Sequence, residues 1–218
     1  MINRIKDGLL RRRIRALQPW HYDIQLTERL STGKVFSPDG TLPRVANSGI
    51  KLFSPHKIFK KHLRQIFPQG MSGKRFLDCA CNAGAHCFTA RELDVQYALG
   101  FDIRKHWVDQ AQFVQQHRTV QPTDRIELIE GNLYDLPERK LEPFDFTVFS
   151  GIFYHLPEPV TGLKIAADVT SDVILVNTMG MLDSPNPRGM TVKSEGTREA
   201  HVGCLRPVLG AQQSRSHR

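Results

Sequence analysis

The sequence predicts an α/β protein: a mostly parallel sheet covered by helices on both faces. Three observations carry this expectation. From residue 75 onward, short apolar runs alternate with longer segments of helical period. The run at 144–149 is mostly apolar, with Phe144, Phe146, Val148 and Phe149, as suits a strand in a covered parallel sheet. Asp78, Asp102, Asn132 and Ser150 each fall where a run ends, and open parallel sheets bind their ligands at those carboxyl ends.

In chain order, Ile2, Ile5, Leu9, Ile14 and Leu17 recur at near-helical spacing among Arg4, Lys6, Arg11, Arg12, Arg13 and Arg15. This is a basic amphipathic helix, which Pro19 ends. Residues 20–26 alternate like a strand after an aromatic start, and Gly33, Pro38, Gly40 and Pro43 mark turns. A second helix follows, with Ile58, Phe59, Leu63 and Ile66 on one face and Lys57, Lys60, Lys61 and Arg64 on the other. Strands are then expected at 75–79, 96–101, 126–129, 144–149 and 173–176, with helices at 85–93, 105–116 and 163–169. Parallel strands joined by helices imply right-handed crossovers. Residues 1–70 thus read as a basic N-terminal extension with an aromatic, lid-like segment, 71–180 as the main domain, and 181–218 as an irregular or truncated tail.

A chain of 218 residues, 40% hydrophobic and 24% charged, has room for one such domain and an extension. No apolar run approaches the roughly 18–20 residues of a membrane span. The N-terminus lacks a secretory pattern, and the cytoplasm is the expected compartment. Cys79, Cys81 and Cys87 are not at zinc spacings, and no metal is expected. The charge is uneven: residues 1–75 hold 16 Lys and Arg against 4 Asp and Glu, and the remainder 14 against 18. The basic third suits either a solvated surface or an anionic partner such as RNA.

The stretch 76–86 reads Phe-Leu-Asp-Cys-Ala-Cys-Asn-Ala-Gly-Ala-His. It runs from a buried strand through small residues into a helix, so the backbone can come close to a ligand. Asp78 would repel a pyrophosphate, which favours a nucleotide-like ligand not dominated by phosphate. Asp102, 24 residues further on, stands where an acid binds ribose hydroxyls in dinucleotide folds. Asn132 and Leu133 offer a polar edge and an apolar face suited to an adenine. Beyond the fourth strand, Tyr154 either walls the pocket or assists the chemistry, and His155 is placed to act as a base or to cap the next helix. Trp20, His21 and Tyr22 suit either a lid or core packing.

Strand–Asp-x-small-x-Asn-x-Gly–helix, strand–Asp, strand–Gly-Asn-Leu and strand–Ser-Gly-x-x-Tyr-His-Leu together resemble the class I S-adenosylmethionine-dependent methyltransferases. The resemblance covers roughly residues 75–180 and implies their Rossmann-like fold. It is closest to a branch that includes relatives of the tRNA wobble-uridine carboxymethyltransferase and many small-molecule methyltransferases. It implies S-adenosylmethionine as cofactor. It places Asp78, Ala80, Asn82, Gly84 and Ser150 around the methionine part, Asp102 on the ribose, and Ile103, Asn132 and Leu133 about the adenine. The expected activity is methyl transfer to a small-molecule or glycan-like hydroxyl, with Tyr154 and His155 as candidate catalytic residues. Two alternatives stand beside it: a tRNA-modifying methyl or carboxymethyl transferase, and a catalytically impaired cofactor-binding module.

Two departures support the last alternative. The family has Gly where this chain has Ala80, which strains the loop by about 1 kcal/mol or more if φ there is positive. The tail after residue 178 shows no final hairpin, only one possible short strand at 190–197, so the C-terminal strands are expected to be incomplete and a sheet edge open.

Overall fold

The computed structural model describes residues 2–36, 56–178 and 203–205. Its sheet has six strands in the order β3-β2-β1-β4-β5-β6. Strands β1 (Arg75–Cys79), β2 (Tyr97–Asp102), β3 (Ile126–Glu130), β4 (Phe144–Ser150) and β5 (Thr170–Asn177) are parallel. Strand β6 (Gly203–Leu205) runs antiparallel to β5. Helices α1 (Ile2–Ala16), α2 (His56–Ile66), α3 (Ala85–Arg91), α4 (Lys105–His117) and α5 (Pro159–Asp168) complete the regular structure among the described residues, with 3-10 turns at Gly33–Val35, Leu133–Arg139 and Phe153–His155.

Strand pleating sorts the core into two layers, because successive side chains point to opposite faces; an irregularity between Phe144 and Phe146 of β4 puts those two on different faces. Phe76, Ala98, Phe146, Val148 and Val173 pack with Ala111 and Val114 of α4, Phe88 of α3, and Ile14, Trp20, Leu30, Phe59 and Leu63 of the extension. Leu77, Leu99, Phe144, Phe149 and Ile174 face the other way, toward Leu133, Leu136 and Ala166. The extension is therefore part of the wall on one face of the sheet. Buried Gln110 of α4 fastens it, donating to the carbonyls of Leu17 and Pro19 at 2.6 and 2.7 Å.

Three elements differ from the sequence expectation. Residues 20–26 form no continuous strand, and only Tyr22 and Gln25 are bridge residues, Gln25 with Ser31, because Trp20, Ile24 and Leu26 turn into the core. Helix α5 begins at Pro159, four residues early, since a proline suits the first helical turn. Strand β6 covers part of the β5 edge, so that edge is paired at Ile174–Val176. The short strand expected at 190–197 lies outside the described residues.

Candidate cofactor and active site

Strands β1 and β4 are neighbours, and from them the sheet grows outward in opposite directions. This is the switch point beside which open α/β sheets form a crevice. The loop from β1 to α3 crosses it in a sequence of left-handed residues: Ala80 at φ 60°, Asn82 at 50° and Gly84 at 77°. A Cβ on Gly84 would lie 3.1 Å from Phe88 and 3.3 Å from Ala111, so glycine is demanded by space as well as by φ. Asn82 is among the residues that tolerate this region. Ala80 is not, and the strain raised by its methyl group is present.

Asp102 ends β2, is buried, and is held from two sides. Its Oδ2 accepts the Asn82 backbone N–H at 3.0 Å and its Oδ1 the Arg104 N–H at 3.0 Å. Burial pushes its carboxyl above the usual range, opposed by those two hydrogen bonds and by Arg104. Each oxygen keeps a further lone pair for a ligand hydroxyl. Next to it Ile103 is 63% exposed, an apolar side chain left open at the crevice rim.

Asp78 is buried near the end of β1, and His86 Nδ1 of α3 lies 3.4 Å from each of its oxygens. The His86 ring packs at 4.5 Å from Phe59 and 6.0 Å from Tyr22. Burial raises the Tyr22 hydroxyl pKa above its ordinary value, and Asp78, Cys81, Tyr154 and Asp102 raise it further. The thiols of Cys79, Cys81 and Cys87 are all buried and are pushed up by burial and then by Asp78, which keeps them neutral packing groups.

His21 reaches the site from the extension. Its Nδ1 lies 3.1 Å from Asn82 Nδ2, and its ring packs on Trp107 at 4.7 Å. On the opposite side, Ser150 accepts from the Asn177 amide at 3.2 Å. Tyr154 and His155 follow on an exposed 3-10 turn with their rings 4.4 Å apart. Asn132 caps the next turn by accepting the Tyr134 N–H at 3.1 Å. Leu133 is buried in the second core layer beneath that turn, beside Gly162.

Residues 71–206 match the family described as "Methyltransferase domain". The chain belongs to this methyltransferase-domain family. Among solved structures, it resembles the N-terminal domain of EvdMO1, crystallised in the presence of SAH and D-fucose. That match has 22% identity and a TM-score of 0.56, and covers 79% of this chain and 64% of that one. The same domain with SAH bound gives 23% identity and a TM-score of 0.54, covering 79% and 65%. Full EvdMO1 gives 20% identity and a TM-score of 0.55, covering 84% and 38%. The chain thus spans less than two thirds of each of these relatives. No curated protein sequence matches it.

In this methyltransferase domain, sequence reasoning left His86 without a role. A histidine two residues after Gly84 was visible, but its pairing with Asp78 exists only once α3 folds back on β1. His21 and Tyr22 carried a signal, the aromatic cluster at 20–22, that could not separate a lid from packing. The structure divides the cluster: Trp20 is buried, with its Nε1 donating to the Ile14 carbonyl at 2.8 Å, while His21 meets Asn82 and Tyr22 packs near His86. No helix among the described residues is long and apolar enough to cross a membrane.

Proposed function

We propose that this protein is an S-adenosylmethionine-dependent methyltransferase that methylates a hydroxyl of a small, sugar-like molecule. The observation that carries the cofactor reading is the buried Asp102 carboxylate, oriented by two backbone N–H groups and flanked by exposed Ile103. That combination fits a ribose beside an aromatic base. Asp102 would take the ribose hydroxyls, Ile103 and Asn132 would border the adenine, with Leu133 supporting from beneath. Asp78, Ala80, Asn82, Gly84 and Ser150 would surround the methionine end. When bound, the cofactor supplies an activated methyl group on a sulfonium.

The protein's own part is to hold an acceptor oxygen at near-attack distance and exclude water. Tyr154 presents an exposed hydroxyl and ring face at the strand ends, and His155 stands beside it as the candidate base for the hydroxyl proton. The sugar-like acceptor is supported by this aromatic, polar pair and by the D-fucose present with the EvdMO1 domain.

Calorimetric titration with S-adenosylmethionine and S-adenosylhomocysteine tests the reading. Micromolar binding by the wild type, weakened at least tenfold in a folded Asp102→Ala variant, is expected from the loss of charge-assisted hydrogen bonds. A folded wild type that binds neither compound overturns it. The alternative acceptor, tRNA, is favoured by the basic extension, where α1 exposes Arg12, Arg13 and Arg15. Specific tRNA binding that falls steeply with salt would select it. Binding of the cofactor without turnover on any hydroxyl would select the impaired module, with Ala80 as the first suspect.

A further inference from the structure

We propose that His21, a residue of the N-terminal extension, is a positioning residue that holds the Asn82 turn in its cofactor-binding shape by accepting a hydrogen bond as a neutral imidazole. The proposal rests on the cofactor reading above. Its basis is a chain of fixed donors and acceptors. The Asn82 side-chain Oδ1 accepts the Ala83 N–H at 2.8 Å, so the amide cannot rotate without losing that bond. Its Nδ2 therefore faces His21 Nδ1 at 3.1 Å. An amide nitrogen only donates, so Nδ1 must accept and the ring proton must sit on Nε2. The backbone N–H of the same Asn82 is given to Asp102 Oδ2. One left-handed residue thus links the extension, the β1–α3 loop and the carboxylate at the end of β2.

A protonated His21 would set two donors face to face and break the link. The surroundings favour the neutral ring. Burial lowers the His21 pKa most; Arg104 and His106 lower it further, and Asp102 alone opposes them. The Trp107 face packs on the ring and carries no charge. The sign follows by linkage: for a histidine with a depressed folded pKa, the contribution is complete above the ordinary value and lost as pH falls through the depressed one.

Simple packing would be satisfied by any ring of similar shape and would not depend on a proton. His21→Phe keeps a ring against Trp107 without the acceptor. His21→Asn keeps an acceptor near the Nδ1 position without a titrating group. Two measurements on the full chain decide the matter. Long-range proton–nitrogen NMR of the wild type, without cofactor, is expected to show the Nε2–H tautomer and titration below the ordinary value of about 6.5. The Nδ1–H tautomer, or titration above that value, overturns the proposal. Calorimetry with S-adenosylhomocysteine at about pH 8 is expected to show roughly tenfold weaker binding for His21→Phe and no more than about twofold for His21→Asn. As pH falls toward about 5, the wild type should lose affinity more steeply than His21→Asn. Every other titratable group is the same in both proteins, so the difference belongs to His21. Equal binding by wild type and His21→Phe, or parallel pH profiles, overturns the proposal. If the NMR outcome holds but the wild type binds no S-adenosylhomocysteine, the hydrogen bond is supported and the cofactor reading fails.

Discussion

Ala80 is a residue at which the chain departs from what its own backbone asks. A left-handed φ of 60° costs a residue with a Cβ roughly 1–2 kcal/mol relative to glycine. Ala80→Gly is therefore expected to raise the unfolding free energy by about 0.5–1 kcal/mol, the gain being reduced by the greater freedom of glycine in the unfolded chain. Urea unfolding of the two proteins measures it, and a loss of stability would show that the alanine methyl makes a contact worth more than the strain. Gly84→Ala should behave oppositely. With φ 77° and neighbours at 3.1–3.4 Å, an added methyl is expected to cost about 2 kcal/mol or more, read by the same titration. At this scale the placement of Asp78, Asn82, Gly84 and Asp102 at strand ends and in the β1–α3 loop was legible from type and spacing. Their partners were not. The Asp78–His86 and Asn82–His21 contacts join residues of different elements, and no spacing along the chain encodes them. Nor could the chain alone show that Leu133 turns into the core, because the capping of Tyr134 by Asn132 sets the direction of that turn.

Among the elements, α4 has a second task besides covering the sheet. Gln110, fully buried, spends its amide nitrogen on the carbonyls of Leu17 and Pro19, and so fixes the segment that brings His21 to Asn82 and Tyr22 near His86. Gln110→Leu removes both bonds and leaves two backbone acceptors short of partners at about 1–3 kcal/mol each. The expected result is a lower melting temperature together with faster proteolytic cleavage near residues 17–24. Unchanged cleavage would show that the apolar contacts of Trp20 and Ile24 hold the segment alone. The five parallel strands and their helices were readable because short apolar runs alternate with segments of helical period. The 3-10 turn at Leu133–Arg139 was not, since a capped turn with an internal proline has no periodicity. The three-residue β6 was missed for a related reason: its place is set by the edge of β5, not by a pattern of its own.

For the molecule as a whole, the decisive question is whether the extension is an appendage or part of the folding unit. Apolar side chains of residues 14–35 and of α2 share one core layer with the sheet. An ion-pair cluster crosses the same boundary. Glu92, at the end of α3, meets Lys60 of α2 at 3.0 Å and also Arg118 beyond α4, and the Glu92 and Arg118 side chains are about 95% buried. Removing the shared acid strands a buried guanidinium, which costs about 3–5 kcal/mol when a buried pair is broken. Glu92→Ala should therefore destabilise the extension and the sheet domain together. The two tryptophans report on them separately, Trp20 in the extension and Trp107 in the domain. Single-tryptophan variants, with the other residue replaced by Phe, are expected to give coincident unfolding curves in urea, both shifted to lower denaturant by Glu92→Ala. If the Trp20 curve instead moves ahead while the Trp107 curve stays in place, the extension folds on its own account. The crevice would then be walled by a separable strap, and the affinity for the proposed cofactor should track the Trp20 transition rather than the global one.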